Sequence, residues 1–350
     1  MPMRVALLLA LGLTPAFAAR PITPPAPEFP ASGAWINAKP LTLKDLRNRR
    51  VVLVAFINTT NINSLRSLAI LKEWHERYAL EGLSIIGVHT PDFDFQKDPL
   101  FVKAALKRFG VPFPVVVDSS RSIWRNYSNE GWPAFYLVDH KGRLVFDHLG
   151  EGGYREFEGE IRLALEDAGY EPPKVAALAA DPKSRDCGDM TAEVSVGLRR
   201  GKVRDLSKSP RERISYILAV RDGEATTTGS WNAEPDALRL KGDNADHSSA
   251  MQLIYRGSQG FAVLAPQKGS AVFYVRQDDL WLHSGNAGSD IRFDDDGRSF
   301  IEADGARLYH LTQNPNDSMH ELSLIPLKPG AAVYGFSFSD RCLTSALPTP

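Results

Sequence analysis

Val51-Val52-Leu53-Val54-Ala55-Phe56-Ile57-Asn58-Thr59-Thr60-Asn61-Ile62-Asn63-Ser64-Leu65-Arg66 is the stretch that decides the fold of the first half of the chain. Its first seven residues form a continuous apolar run, which is typical of a strand buried on both faces of a parallel sheet. Apolar residues then recur at helical spacing, at Leu65, Leu68, Leu71, Trp74 and Tyr78. The stretch therefore predicts a buried strand, a short polar loop and a helix that begins near Asn61.

The loop ends at a helix N-terminus, where the helix dipole and free backbone N–H groups favour negative charge. We expect Asn61 to cap this helix, a role that Asn favours and that contributes about 1 kcal/mol. Ser64 then lies in the first turn. A hydrolytic Ser64 would need a base within hydrogen-bond reach. His75 is about 16 Å further along the helix, whereas His89 ends the next predicted strand near the same edge and could approach.

The composition allows two globular domains. The chain has 350 residues, 43% of them hydrophobic, and a formal net charge of −1. Because the charge is nearly balanced, nucleic acid is not expected as a partner.

The N-terminus predicts export. Residues 1–19 combine Arg4, an apolar run over 5–17 and an Ala16-Phe17-Ala18 end, which is typical of a secretory signal peptide. A buried N-terminal helix is the alternative. No later segment has the roughly 18 apolar residues of a membrane helix, so we expect no membrane span and a periplasmic or secreted mature protein. Residues 20–34 contain five prolines and predict an extended leader with little structure of its own.

Residues 35–170 form the first predicted domain. Strands are expected at 51–57, 83–90, 114–118, 134–139 and 144–149, and helices at 61–78, 98–109 and 154–168. This order suits a mixed sheet with helices on both faces.

A second domain is predicted over 187–343, between a Pro/Ala linker at 171–186 and a tail at 344–350. Short β-rich runs recur there with turn residues between them, which predicts a jelly-roll or β-sandwich domain. The expected strands are 193–197, 214–220, 226–231, 251–255, 261–264, 271–275, 307–311, 320–324 and 332–339.

The two cysteines, Cys187 and Cys342, bracket this second domain. In an exported protein an even pair most simply forms one structural disulfide, which could contribute up to about 4–5 kcal/mol across so long a loop. Two free thiols are the alternative. Asp186 and Asp189 flank Cys187, and negative neighbours disfavour a reactive thiolate.

Motifs along the first domain resemble TlpA-type thioredoxin-like proteins, and in particular the periplasmic thioredoxin domain of the DipZ family. The matching residues are Trp35-Ile36-Asn37, Trp74-His75-Glu76, Gly82-Leu83-Ser84-Ile85-Ile86-Gly87-Val88-His89-Thr90-Pro91, Trp132-Pro133-Ala134-Phe135-Tyr136 and Gly150-Glu151-Gly152. The second half is similar to the carbohydrate-binding-like β-sandwich appended to such domains, at Gly229-Ser230-Trp231, Arg307-Leu308-Tyr309-His310-Leu311 and Tyr334-Gly335-Phe336-Ser337-Phe338.

The resemblance places the family's two redox cysteines at Asn61 and Ser64, so the family's thiol-disulfide exchange is not implied for this chain. Exchange requires a thiolate, which neither side chain supplies. The family's cis-proline falls on Pro133. The resemblance thus implies a retained groove formed by Thr60, Asn61, Ser64, Trp132 and Pro133.

No metal or cofactor is expected. The histidines of the first domain lack the close spacing of zinc ligands, and the acidic run at 294–296 lacks the Asp/Asn alternation and closing Glu of a calcium loop. Trp281, in a polar stretch, and Trp231 are candidates for stacking on a sugar, although core packing is the more common role of such rings.

These observations predict an exported, non-redox accessory protein. The groove would hold an extended polypeptide or an envelope protein, and the sandwich would hold a glycan. Two alternatives remain open. One is thiol-disulfide oxidoreduction through Cys187 and Cys342, and the other is an accessory subunit of a membrane redox complex.

Overall fold

The computed structural model describes residues 23–30, 33–173, 190–201, 203–205 and 222–340. An α/β unit occupies 23–173, and a unit built from strands occupies 190–340. This is the predicted fold class, a thioredoxin-like α/β fold followed by an all-β sandwich. Cys187, Cys342 and the strand predicted at 214–220 lie outside the described residues.

The first unit is a six-stranded mixed sheet with helices on both faces. Its strands are β1 (Ala34–Ile36), β2 (Val51–Ile57), β3 (Leu83–His89), β4 (Val115–Val117), β5 (Ala134–Val138) and β6 (Leu144–Leu149). Its helices are α1 (Leu43–Leu46), α2 (Ile62–Tyr78), a 3-10 helix (Asp94–Lys97), α3 (Pro99–Arg108), α4 (Ser122–Asn126) and α5 (Tyr154–Asp167). The strand order is β1-β4-β3-β2-β5-β6, with β3 parallel to β2 and β4 and the other pairs antiparallel.

Strand β2 supplies both cores of this unit because its side chains alternate between the two faces of the sheet. Leu53 and Ala55 pack with residues of α2 and α5, whereas Val54 and Phe56 pack with residues of α1 and α4. All seven residues of β2 are buried. The predicted strands and helices of this unit agree with the structure to within one residue at each end.

The prediction of a leader over 20–34 requires correction. In its described part this segment packs on the α/β unit: Phe29 is only 3% exposed. The Glu28 carboxylate accepts hydrogen bonds from the backbone N–H groups of Leu43 (2.6 Å) and Lys44 (3.1 Å) and so anchors the start of α1. The prolines of this segment predict an extended backbone, but they do not predict that Phe29 packs on the α/β unit.

The second unit is a sandwich of two sheets whose strands are mostly antiparallel. Its described strands are β7 (Val194–Ser195), β8 (Val203–Asp205), β9 (Ala225–Thr228), β10 (Trp231–Ala233), β11 (Leu238–Leu240), β12 (Ala250–Arg256), β13 (Gln259–Ala265), β14 (Ala271–Gln277), β15 (Leu280–Trp281), β16 (Arg292–Phe293), β17 (Ser299–Ala303), β18 (Arg307–Gln313), β19 (Met319–Pro326) and β20 (Ala332–Ser339). One sheet has the order β10-β11-β20-β13-β18, with β7 on β20. The other has the order β16-β17-β14-β19-β12-β9-β8, with β15 on β14.

The sandwich core lies between these sheets. Phe273 and Val275 of one sheet and Leu264 and Val333 of the other belong to one buried cluster and are fully shielded from water. The long strands follow the predicted runs closely. The sequence did not predict several strands, among them β11, β16 and β17. These strands are short or begin in polar turns, so they contain too few residues to show a clear alternation of apolar and polar side chains.

The two units share an extensive interface. Phe261, Val263 and Leu308 of the sandwich belong to the same buried cluster as the sheet and helices of the α/β unit. Tyr334 packs edge-on against Phe93 and Phe95 at the 3-10 helix, with ring centroids 5.3 and 4.9 Å away. Two ion pairs also join the units here, from Arg199 to Asp94 (2.7 Å) and from Arg200 to Asp92 (2.6 Å).

Removal of the Phe29 side chain tests the corrected leader. We expect Phe29→Ala to lower the free energy of unfolding by about 3 kcal/mol, because a large buried ring leaves a cavity. Urea denaturation followed by tryptophan fluorescence measures this change. The control Leu80→Ala alters a side chain that is 92% exposed and should change stability by less than about 0.5 kcal/mol. An unchanged Phe29→Ala midpoint would mean that the segment does not pack.

Candidate functional site

Hydrogen bonds at the start of α2 hold the backbone of the junction between β2 and α2. Asn61 is the N-cap residue, as predicted, and its Oδ1 accepts the backbone N–H of Ser64 at 3.0 Å. Ser64 is completely buried, and its Oγ accepts the backbone N–H of Asn58 at 2.7 Å. Both side chains at the predicted redox positions are therefore engaged in holding the backbone of the junction.

The His89 ring contacts Thr59 and forms no hydrogen bond with the Ser64 hydroxyl, so the geometry contradicts a hydrolytic Ser64 with His89 as its base. The Nε2 atom of His89 lies 3.2 Å from Oγ1 and 3.4 Å from the backbone N of Thr59. Burial lowers the pKa of His89 to about 4, so the ring is neutral at ordinary pH. The Ser64 hydroxyl has a backbone partner in place of a catalytic base.

A buried amide network surrounds the loop, and sequence reasoning missed two of its members, Asn58 and Gln96. Asn58 Oδ1 accepts hydrogen bonds from the backbone N–H and hydroxyl of Thr60 and from Gln96 Nε2, at 2.8 to 2.9 Å. Gln96 Oε1 accepts the backbone N–H groups of Asp92 and Phe93. Asn58 could have been suspected as the first polar residue after an apolar strand, whereas nothing in the sequence links Gln96 to a loop 36 residues earlier.

Trp132 and Pro133 lie at the same edge of the sheet as this junction. The Trp132–Pro133 peptide bond is cis, as the resemblance implied. The next residue, Ala134, pairs with Phe56 near the end of β2. Pro133 is buried, and Trp132 is partly exposed.

Trp132 belongs to a surface that we call the tryptophan platform, formed by Arg121, Trp124 and Trp132. The two indole rings lie 4.6 Å apart, and the Arg121 guanidinium lies 4.6 Å from the Trp124 ring and 5.5 Å from the Trp132 ring. Of the five residues predicted for a groove, Thr60, Ser64 and Pro133 are buried. Asn61 and Trp132 are the members that retain partial exposure.

The structure does not bring Trp231 and Trp281 into one site. Trp231 packs against the cluster between the two sheets, and its Nε1 donates to the Thr228 carbonyl at 2.8 Å. Trp281 belongs to a separate cluster with Tyr274 and Phe300. Neighbours of Tyr274 on β14 point into the sandwich core, so this second cluster, which we call the outer aromatic cluster, lies on the opposite face of the sheet.

The acidic run at 294–296 forms a turn. Asp294 Oδ1 accepts the backbone N–H groups of Asp296 and Arg298, and its other oxygen pairs with Arg298 at 2.7 Å. Within the described ranges, no group of three or more His, Cys, Asp or Glu side chains is placed to hold a metal ion. The helices described here include none that is long and apolar enough to cross a membrane.

Comparisons with known proteins agree with this architecture. Residues 23–159 match the Redoxin family model, and residues 193–339 match the model of a thioredoxin-like C-terminal domain. Protein DipZ of Mycobacterium bovis is 34% identical over 174 residues, which are 49% of this chain and 24% of that protein. The chain is thus similar to TlpA/DipZ-type thioredoxin-fold proteins.

Two further relatives match the thioredoxin-fold part. SUPPRESSOR OF QUENCHING 1 of Arabidopsis thaliana is 30% identical over 139 residues, covering 40% of this chain and 13% of that protein. Thiol-disulfide oxidoreductase YkuV of Bacillus subtilis is 25% identical over 141 residues, covering 40% of this chain and 94% of that protein. The chain thus spans about a quarter or less of DipZ and of the plant relative.

Beside the first turns of α2, Arg66 forms a buried ion pair within the thioredoxin-fold unit and a hydrogen bond to the sandwich. Arg66, with its side chain 2% exposed, lies 3.7 Å from the Glu151 carboxylate and donates to Gln259 of the sandwich at 2.8 Å. Burial is the main cause that raises the pKa of Glu151 to about 7, and burial also lowers the pKa of Arg66. Removal from water therefore outweighs the attraction between the two charges.

The stability of this TlpA/DipZ-like protein should depend on pH through Glu151. The folded-state pKa of about 7 exceeds the ordinary value of 4.5, so the folded state binds this proton more tightly than the unfolded state. The stabilising contribution is complete below the lower pKa and is lost as pH rises through the higher one. Between about pH 4 and pH 8, the wild type should lose about 3 kcal/mol relative to Glu151→Gln.

Urea denaturation of both proteins across this pH range measures the difference. Subtracting the two curves removes the contributions of all other titrating groups, which the variants share. Parallel curves would show that Glu151 titrates alike in the folded and unfolded states.

Proposed function

We propose that this chain is an exported, non-redox binding protein whose thioredoxin-fold unit holds an extended polypeptide. The observation that carries the proposal is the engagement of both Asn61 and Ser64 in hydrogen bonds of the helix start. Residues 23–173 contain no cysteine. The apolar run and Ala-x-Ala end within residues 1–19 support export.

The chemistry of the loop supports binding over exchange. A disulfide is broken by thiolate attack on sulfur, and the helix start of a redoxin supplies the field that lowers a thiol pKa. Here that same helix end is satisfied by the Asn61 amide and closed from solvent around Ser64. The loop therefore occupies the position of the family's site without a thiol nucleophile.

The tryptophan platform supports a polypeptide as the ligand. Trp132 and Trp124 present aromatic surface of the kind enriched in protein interfaces, and Arg121 adds a cation over both rings. This surface adjoins the sheet edge at which Pro133 leads into β5. Aromatic rings beside a cation suit a chain that combines apolar and acidic side chains, such as an envelope protein segment.

The principal alternative is thiol-disulfide oxidoreduction of the TlpA/DipZ type through Cys187 and Cys342. Both residues follow the thioredoxin-fold unit in sequence, and Asp186 and Asp189 beside Cys187 oppose thiolate formation. The other alternative is an accessory subunit of a membrane redox complex. Co-purification with a membrane protein, lost in Trp132→Ala, would favour it.

The outer aromatic cluster provides a second candidate function, glycan binding. Trp281 packs at 5.5 Å from Tyr274, and the guanidinium of Arg276 lies 5.2 Å from the Trp281 ring. The adjacent Leu280 is 70% exposed. Partly exposed rings flanked by arginine and acidic side chains offer both a stacking surface and hydrogen bonds to sugar hydroxyls.

An insulin-reduction assay tests the non-redox proposal. The wild type should show no turnover above the rate with dithiothreitol alone, because its thioredoxin-fold unit has no thiolate. Thiol titration of the denatured, unreduced protein should also find no free thiol if Cys187 and Cys342 are bonded. Turnover that disappears in both Cys187→Ser and Cys342→Ser would instead establish the oxidoreductase alternative.

Peptide and glycan arrays probed with the whole chain test the two binding surfaces together. We expect Trp132→Ala to lose peptide signal about tenfold or more, since truncation of a central aromatic residue in an interface commonly costs 2 kcal/mol or more. It should leave any glycan signal unchanged. Trp281→Ala should lose the glycan signal and keep the peptide signal. The signal that each variant keeps then shows that the variant is folded. Peptide binding that survives Trp132→Ala would contradict the platform as the site.

A further inference from the structure

A cavity of about 300 Å³ lies between the two units, on the side of α3 that faces the sandwich. Its walls are Phe101, Ala104, Ala105 and Arg108 of α3 and the turn at 304–307 between β17 and β18. Thr59, from the loop that precedes α2, completes the lining. The cavity therefore depends on the packing of the two units and touches the degenerate redox loop from outside.

Arg108 is the polar group in this cavity that lacks a partner. Across the described residues it forms no ion pair, and its Nε is shielded from water without a hydrogen-bond partner. The guanidinium is held in place by stacking on Phe109, at 4.8 Å from the ring centroid. Burial, and after it the charge of Arg307, lower the pKa of Arg108 from its ordinary value. A guanidinium in this setting is stabilised by an incoming anion.

The other charges around the cavity are already matched. Arg307 pairs with Asp290 at 2.9 Å and with Asp304 at 3.4 Å, and it stacks 3.6 Å from the Tyr309 ring centroid. Asp290 also accepts the backbone N–H of His310, and Asp304 accepts the Tyr309 hydroxyl. Arg307, Asp290 and Asp304 together carry a net charge of −1, and the charge of Arg108 brings this group to neutrality. Among the described residues, Arg108 is the member of the group without a direct polar partner, and a monoanion adds less unfavourable charge beside the two carboxylates than a dianion such as phosphate.

The size and walls of the cavity define the rest of the ligand. A volume of 300 Å³ corresponds to about ten water molecules and to the lower end of small-molecule sites. Phe101, Ala104 and Ala306 present apolar surface beside the Arg108 guanidinium. A compact hydrocarbon or aromatic body is therefore preferred over a sugar or a nucleotide, which would bring more polar groups than these walls can satisfy.

We propose that this interdomain cavity binds a compact organic carboxylate. Its charged end accepts hydrogen bonds from the Arg108 guanidinium, and its apolar body lies on Phe101, Ala104 and Ala306. Two sources share this chemistry, a free small-molecule acid and the C-terminal carboxylate of a polypeptide with an apolar last residue. The site is separate from the tryptophan platform and does not rest on the function proposed for that surface.

Titration of the whole chain with benzoate, followed by calorimetry or ligand-detected NMR, tests the proposal. We expect saturable benzoate binding and at least about tenfold weaker binding of benzamide, its neutral isostere, because the charge-assisted hydrogen bonds are lost. Inorganic phosphate should bind more weakly than benzoate. Absence of saturable benzoate binding up to about 10 mM, or equal affinities for benzoate and benzamide, would overturn the proposal.

Two variants locate the binding. Arg108→Gln should weaken benzoate about tenfold or more, whereas the control Lys107→Gln removes an exposed cation from the same helix and should leave the affinity unchanged. Ala104→Phe keeps Arg108 and fills the cavity, so it should also abolish binding. Circular dichroism and the thermal midpoint verify folding. Undiminished benzoate binding in both folded Arg108→Gln and folded Ala104→Phe would place the ligand elsewhere.

A third arm distinguishes the ligand source and separates this site from the proposed function. An acetylated tripeptide that ends in Phe with a free carboxylate is compared with its C-terminal amide and with benzoate. Tighter binding of the peptide acid identifies a polypeptide terminus, and tighter binding of benzoate identifies a free acid. Trp132→Ala should bind benzoate normally, so a loss of peptide-array signal and a loss of carboxylate binding would be independent outcomes.

Discussion

The side chain of Asn58 fixes the arrangement on which the rest of the structure depends. It is 1% exposed and sits where β2 ends, and its Oδ1 and Nδ2 reach Thr60, Gln96 and the Thr90 carbonyl. Its backbone N–H is taken by Ser64. Because these groups are shielded from water, each unmade bond would cost about 1–3 kcal/mol. The network therefore stabilises this conformation of the junction between β2 and α2, and it ties that junction to the end of β3.

The same network positions the second unit. Gln96 lies in the 3-10 helix, and its side-chain oxygen holds the backbone of Asp92 and Phe93 at the start of that helix. Asp92 and Phe93, with Asp94, are among the residues that contact the sandwich, through the Tyr334 ring and through Arg199 and Arg200. The hydrogen bonds within the junction between β2 and α2 and the contacts that position the sandwich thus form one connected network. The interdomain cavity depends on both.

Sequence periodicity predicted the elements that bury whole strands or helix faces, such as β2 and α2, to within a residue. It also predicted Asn61 as the helix cap, because capping is a local interaction between residues three apart. It missed Asn58 and Gln96, whose bond joins positions 38 residues apart and has no local signature. Arg66 and Glu151 were missed because a charged side chain is ordinarily solvated, and nothing in the local sequence indicates that these two are buried.

Closure of the redox loop changes where chemistry can occur in this fold. In a redoxin the helix start must stay open, because a thiolate and its disulfide partner have to meet there. Here Ser64 is fully buried, and the Asn61 side chain caps its own helix. The positive end of the helix dipole therefore faces the Asn61 oxygen. Two features at the margins of the junction remain available to a ligand, the rings of the tryptophan platform and the guanidinium of Arg108. Binding at these margins needs no nucleophile, and the rigid junction between them provides a fixed scaffold for it.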